Sequence, residues 1–212
     1  MALRKRTARL MIRHIVFDIG MVLLQWDPEI PYRRLIADDA RRRWFLETVC
    51  TPDWNREQDR GRTWADAEAA LIAEYPAEEA LIRAYRVNWP DMLPATLPGT
   101  PEIFEALIAT GADVTMLTNF SHETFPIARE RFPLLTRARG VTVSGEVGLL
   151  KPDRAIYDLH AQTFGLDPAA TLFFDDSRAN VEGAIAAGWQ ARHFTDAATM
   201  RADLAAAGIA LP

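Results

Sequence analysis

Thr171-Leu172-Phe173-Phe174-Asp175-Asp176-Ser177-Arg178-Ala179-Asn180 is an apolar run that stops at two adjacent acids and passes directly into a helix start. Nearly continuous apolarity over so few residues reads as a strand buried on both faces, as in a parallel sheet with helices on either side. Four further runs of this kind lie at Ile12–Phe17, Val114–Leu117, Val141–Ser144 and Ala191–Phe194. Helical segments separate the later ones. Thr100 and Pro101 supply an N-cap and a first-turn proline for a stripe of Ile103, Phe104, Leu107 and Ile108 that Gly111 ends. Asp153 can cap a segment carrying Ile156, Leu159 and Phe164 and closed by Gly165, while Ser177 opens another that Gly188 closes. Strand alternating with helix predicts an α/β, doubly wound parallel sheet of Rossmann-like type.

Residues 28–95 break the alternation, with helical periodicity and no convincing strand. They predict a small helical cap inserted after the first strand, leaving 1–27 and 96–212 as the core. Four of the six tryptophans, Trp44, Trp54, Trp64 and Trp89, fall in the insertion, where they read as its core. A chain of 212 residues that is 49% hydrophobic has enough apolar material for one core and such an accessory domain.

A net charge of -5 gives no general attraction to nucleic acid or to an anionic membrane, so any phosphate must be held by a local site. The lone Cys50 has no disulfide partner in the chain, which fits a reducing cytoplasm. No apolar run approaches the roughly 20 residues of a membrane span. The opening MALRKRTARL is basic but lacks the apolar centre of a secretory signal; it reads as a tail, or as an upstream start with Met11 as the alternative. A monomer is expected.

The residues suited to chemistry stand where strands end, which is where open α/β sheets bind ligands. Asp18 closes the first strand, with Gly20 two residues on. Thr118 and Asn119 close the second sheet strand, and a hydroxyl and an amide there can donate to phosphoryl oxygens. Lys151 precedes Pro152 and a helix, in a position to neutralise an anion. Asp175 and Asp176 are paired acids whose repulsion calls for a cation, and hard oxygen ligands suit magnesium. Each also has an ordinary structural reading: a turn or cap for Asp18 and Asp176, an Asx or ST turn for Thr118 and Asn119, a solvated surface side chain for Lys151.

The ordered set Phe17-Asp18-Ile19-Gly20, Leu117-Thr118-Asn119, Lys151-Pro152 and Phe173–Asn180 resembles the four signature motifs of haloacid-dehalogenase-like hydrolases. Ser144–Pro152 is also similar to that family's segment before its lysine, so the resemblance covers residues 12–195. It is nearest to the helical-cap branch that includes α-glucose-1-phosphate phosphatase and other sugar-phosphate phosphatases. The resemblance implies a magnesium-dependent phosphatase acting on a small phosphorylated metabolite. It makes Asp18 the nucleophile that forms an aspartyl-phosphate, Thr118 and the Asn119 amide the phosphate donors, and Lys151 the neutralising cation. Asp18, the Gly20 carbonyl and Asp176 would hold Mg2+, with Asp175 and Asn180 steadying them.

One position departs from that pattern. Most phosphatases of the family have a second aspartate two residues after the nucleophile, acting as general acid and base; here Gly20 stands there. Magnesium needs only its carbonyl, but proton transfer loses its usual group, and a steep dependence on leaving-group acidity follows. His122 is the first substitute the sequence suggests; His14, inside the first strand, reads as structural. The 2-haloacid dehalogenases also lack the second acid, which makes that class the alternative, although they carry neutral residues where this chain has Asp175 and Asp176. A third alternative is a binding protein on the same fold. Trp26, Trp54, Arg56, Arg60 and Trp89 are the sequence candidates for contacts from the cap.

Overall fold

The computed structural model describes residues 11–211; the basic N-terminal tail, and with it the choice of start between Met1 and Met11, lies outside them. Five parallel strands form one sheet: β1 His14–Phe17, β2 Asp113–Thr118, β3 Val141–Val143, β4 Thr171–Asp175 and β5 Gln190–His193, in the order β3-β2-β1-β4-β5. The connection reverses direction beside β1, which creates the switch-point crevice at the carboxyl ends of β1 and β4. Register decides what faces that crevice. Phe17 is level with Met116 on one side and Phe174 on the other, and the Asp18 N–H donates to the Phe174 carbonyl at 2.9 Å. Asp18 therefore leaves its strand beside Asp175.

The strands differ from the sequence expectation at their ends. β1 begins at His14, two residues later than the apolar run, although the Arg13 N–H still bonds the Ala170 carbonyl at 2.9 Å. β3 stops at Val143 because a short helix, Ser144–Val147, starts at the next residue. β2 and β4 run on to Thr118 and Asp175, so the candidate residues themselves close the strands.

The insertion is helical throughout: α1 Glu29–Leu35, α2 Asp39–Trp44, a π-helical turn at Phe45–Val49, α3 Pro52–Asp59, α4 Trp64–Glu74 and α5 Glu79–Val87, with 3-10 turns at Pro76–Glu78 and Trp89–Met92. Its centre is aromatic, as expected, with Tyr32, Phe45, Trp64 and Tyr85 buried and the Trp54 ring edge-on to Trp64 and Tyr85. Trp44 differs; it is 40% exposed, under the Arg41 guanidinium. The remaining helices are α6 Thr100–Ala109, α7 Phe125–Arg131, α8 Ser144–Val147, α9 Arg154–Phe164, α10 Arg178–Ala186 and α11 Ala197–Ala206. Among the described residues no helix is long and apolar enough to cross a membrane.

Alternation along each strand divides the core. Ile15, Phe17, Leu172 and Phe174 join the cap aromatics, Phe104 and Leu204 in the larger cluster, while Val16, Leu117 and Phe173 pack with Tyr157 and Trp189 on the opposite face. Glycines at positive φ end α6 (Gly111), α9 (Gly165) and α10 (Gly188), as the sequence suggests. The N-terminal caps differ. Thr100 lies inside α6 and bonds the Leu97 carbonyl, and neither Asp153 nor Ser177 makes a side-chain cap bond. The Ser177 N–H is instead taken by Asp175 Oδ1 at 2.8 Å.

Candidate active site

Lys151 is the centre of the site. It is 1% exposed, and its ammonium reaches Asp175 Oδ2 at 2.6 Å, Asp18 Oδ2 at 2.9 Å and the Leu117 carbonyl at 3.1 Å. The surface-lysine alternative is thereby excluded. Its backbone is held by Asn119, whose Oδ1 accepts from the Lys151 N–H at 2.9 Å and whose Nδ2 donates to the Lys151 carbonyl at 3.0 Å. Both ends of the Asn119 side chain are thus occupied. The Asn119 backbone N–H and the second hydrogen of its Nδ2 are the amide donors left to meet a phosphoryl oxygen.

Asp175 is fully buried and accepts four hydrogen bonds from three groups: Lys151, the Ser177 N–H, and Asn180 Nδ2 at 3.0 and 3.2 Å to its two oxygens. The Tyr157 hydroxyl in turn anchors the Asn180 carbonyl at 2.7 Å. Asp18 Oδ1 accepts from the Ile19 N–H at 2.7 Å. Asp18, Asp175 and Asp176 each bring a carboxylate oxygen within 4.8 Å of the others. Three carboxylates therefore surround one ammonium. Burial, and then Asp175 and Asp176, push the Asp18 carboxyl up to about 7 against the opposing pull of Lys151. Burial and Asp175 likewise raise Asp176. For Lys151, burial opposes the charge, but its two acids outweigh burial and hold its pKa above the ordinary value. The ammonium is shared between two partners, so it is fully compensated while the acids are not.

Beside this cluster lies a cavity of about 220 Å³ lined by Asp18, Gly20, Met21, Asn119, Phe120 and Asp176 from the core and its first loop, and by Trp26, Asn55, Asp59, Trp89 and Leu93 at and in the cap. A second cavity, of about 290 Å³, shares Trp26 and Asn55 as walls and continues among cap residues to Leu46, Cys50 and Tyr85.

Residues 12–188 match the haloacid dehalogenase-like hydrolases. The chain belongs to that family. A sesquiterpene phosphatase of Aspergillus oryzae is 25% identical to this hydrolase over 184 residues, spanning 85% of the present chain and 89% of its own. Solved structures share the fold. An HAD family enzyme of Bacteroides thetaiotaomicron aligns with a TM-score of 0.70 at 19% identity, over 88% of this chain and 95% of that one. A structure of the same enzyme in complex with magnesium and inorganic phosphate aligns at 0.69 and 20% identity, over 87% and 95%. A dehalogenase aligns at 0.65 and 19%, over 85% and 83%. Phosphate-bound and dehalogenase relatives share one fold, so fold alone does not choose between the chemistries.

The structure brings Asp18, Gly20, Asn119, Lys151, Asp175, Asp176 and Asn180 of this hydrolase together. Thr118 closes β2 but is 1% exposed and is not among the residues lining the cavity. Of the cap candidates, Trp26 and Trp89 line the cavity, but Trp54 belongs to the aromatic core, and Arg60 reaches Glu57 and Asp153 at the surface. Arg56 contacts the Lys151 carbonyl from above at 3.4 Å. His122 does not line the cavity, and its Nδ1 is buried without a partner among the described residues. His14 pairs with Asp113 at 2.6 Å at the opposite end of the sheet. The wall residues the sequence does not point to are Met21, Asn55, Asp59, Leu93 and Phe120.

The lysine loop depends on a close approach from α10. A β-carbon at Gly183 would stand 2.6 Å from the Pro152 carbonyl oxygen and 2.9 Å from its Cβ. Gly183→Val is expected to destabilise the fold by about 1–3 kcal/mol through overpacking and to displace Lys151 from its two acids. Urea unfolding with an unchanged midpoint would remove this contact from the account of how the lysine is placed.

Proposed function

We propose that this hydrolase is a magnesium-dependent phosphatase that cleaves a small phosphomonoester through an aspartyl-phosphate on Asp18. The observation that carries the reading is the charge imbalance: three carboxylates and a single, fully buried ammonium at the base of one cavity. Removing uncompensated charge from water is costly, and a divalent cation supplies the missing compensation. The donor set fits magnesium. Asp175 is already saturated by Lys151, Asn180 and the Ser177 N–H, which leaves Asp18, Asp176 and Gly20 lining the cavity; two carboxylates with the Gly20 carbonyl would be few enough ligands for an ion that keeps several waters. Bound there, magnesium would offset the charge of the phosphoryl group and of the two carboxylates.

The chain's own groups do the rest. Asp18 attacks phosphorus, dividing one difficult displacement into two easier ones. Lys151 lowers the repulsion between that carboxylate and the incoming phosphate, and the Thr118 hydroxyl and Asn119 N–H hold phosphoryl oxygens. Asp175 and Asn180 fix the lysine and the turn that carries Asp176. The dehalogenase alternative needs a site that welcomes a carboxylate substrate unaided, whereas the residues lining this cavity include Asp18, Asp59 and Asp176 and no Lys or Arg.

For the organic part of the substrate, Asn55 and Asp59 can meet hydroxyls, as a sugar phosphate requires. A second reading, a phosphomonoester with an apolar body, is favoured by Met21, Trp26, Trp89, Leu93 and Phe120 in the walls and by the adjoining cavity beyond Trp26. The Aspergillus oryzae relative's name points the same way. We take the cap to be residues 28–95, because the two crossings run side by side there: Gln25 N–H bonds the Ala95 carbonyl and Leu97 N–H the Leu23 carbonyl, each at 2.9 Å. A cytoplasmic monomer completes the proposal, in keeping with the buried, unpaired Cys50.

Phosphate release from sugar phosphates, nucleotides, a terpenyl phosphate and p-nitrophenyl phosphate, with and without Mg2+, tests the reading. Halide release from 2-chloropropionate runs in parallel. Turnover of the haloacid, with none of the phosphate esters cleaved, would replace the phosphatase by the dehalogenase.

A further inference from the structure

We infer that Asp59, at the end of cap helix α3, is the general acid and base of the reaction, in place of the acid missing at position 20. This rests on the phosphatase reading. Attack by Asp18 places the leaving oxygen on the far side of phosphorus, roughly in line, and so toward the space between the sheet and the cap. Asp59, carried by the cap, lines the same cavity as Asp18 and Asp176, which are carried by the sheet. Asp59 stands apart from the three-carboxylate cluster, and no cation forms an ion pair with it among the described residues. Its one side-chain hydrogen bond within the cap comes from Asn55 Nδ2 at 3.4 Å.

The residue is also held from the core. The Ser144 hydroxyl donates to the Asp59 carbonyl while accepting from the Phe120 N–H at 2.8 Å, which ties α3 to the loops after β2 and β3. The close approach of Gly61 to the Gly145 carbonyl, 3.1 Å from where a β-carbon would stand, reinforces the junction. Two effects favour the protonated acid that a donor must be at the start of the cycle. Burial drives the Asp59 carboxyl up to about 7, against the Ser121 N–H and Arg56, and the negative end of the α3 dipole disfavours a carboxylate at its last turn.

The proton balance closes. As the bond from Asp18 to phosphorus forms, the ester P–O bond breaks and the Asp59 proton goes to the departing oxygen, releasing an alcohol. The resulting Asp59 carboxylate then takes a proton from a water whose oxygen attacks phosphorus. The Asp18–phosphorus bond breaks, and inorganic phosphate, free Asp18 and protonated Asp59 are recovered. A shallow dependence on leaving-group acidity follows, the reverse of what Gly20 alone suggests.

Values of kcat/KM for p-nitrophenyl, phenyl and hexyl phosphate, which report the steps up to departure of the alcohol and not the later hydrolysis of the common aspartyl-phosphate, decide the matter when compared for wild type and Asp59→Asn. The variant should lose about 10²–10⁴-fold on hexyl phosphate, whose alkoxide cannot depart unprotonated, and little on p-nitrophenyl phosphate; the slope steepens accordingly. Asp59→Glu should recover part of the hexyl activity. Gly20 has an ordinary φ and open space where a β-carbon would go, so an acid fits there; Asp59→Asn with Gly20→Asp should flatten the slope again. Equal losses on all three esters, or none, would overturn the role of Asp59. A wild type inactive toward every ester would instead sink the phosphatase reading beneath it.

Discussion

Asp18→Asn is expected to fold with nearly the wild-type stability and to lose roughly 10⁴-fold or more of its phosphatase activity. The substitution conserves shape and removes the nucleophile. Its structural consequences are limited because the two oxygens of Asp18 do different work: one accepts from the Ile19 N–H and the other from the Lys151 ammonium. An amide can satisfy the first contact with its oxygen but turns an N–H toward the lysine. Lys151 keeps Asp175 at 2.6 Å, so it is not left without a counter-charge. The loss is further offset because a desolvated carboxylate, already pushed up by Asp175 and Asp176, is gone. Thermal melting beside phosphate release checks both halves. Activity preserved in a folded Asp18→Asn variant would remove Asp18 from the chemistry, whatever the fate of the other residues.

The site divides into a part the sequence reveals and a part it hides. Asp18, Asn119, Lys151 and Asp175-Asp176 are legible because each ends a strand or starts a helix in one parallel sheet, and sheet topology alone carries those ends to one crevice. The cap offers no such rule. Asp59 ends an amphipathic helix, where an acid ordinarily faces water; only the pinning of α3 to Ser144 turns it over Asp18's cavity. One local signal is present. An acid in the last turn of a helix runs against the dipole preference, and Asp59 is followed by Arg60-Gly61 at the helix end. Trp54 and Trp89 show the complementary failure: identical residue types in one insertion, one in the aromatic core and one in the cavity wall, separated by packing that periodicity does not encode.

The second large effect concerns magnesium: turnover should fall to background in EDTA and return on adding the ion. Asp176→Ala should weaken magnesium binding by more than about 10²-fold, beyond the roughly 10–100-fold cost of losing an outer-shell partner, with little change in stability, because Asp176 adds repulsion to the cluster in the metal-free protein. Asp175→Ala should behave in the opposite way. It removes the closer of the two counter-charges of a fully buried lysine, and breaking such a pair costs roughly 3–5 kcal/mol, so the fold suffers before the metal site does. The pH dependence follows from the raised Asp18 carboxyl. Its folded pKa, about 7, lies above the ordinary 3.8, so between those values the native protein holds more protons than the unfolded chain. The linkage slope is then negative, and this group makes metal-free stability fall as pH rises through that window. Magnesium needs the same carboxyl ionised, so its binding strengthens over the same interval, and the stabilisation it confers by mass action grows with it. The Mg2+-induced rise in melting temperature should therefore be small at about pH 5 and large at about pH 8, and larger in wild type than in Asp176→Ala at the higher pH. A magnesium shift independent of pH, or activity undiminished in chelator, would separate the ion from these carboxylates and return the protein to the metal-free dehalogenase chemistry.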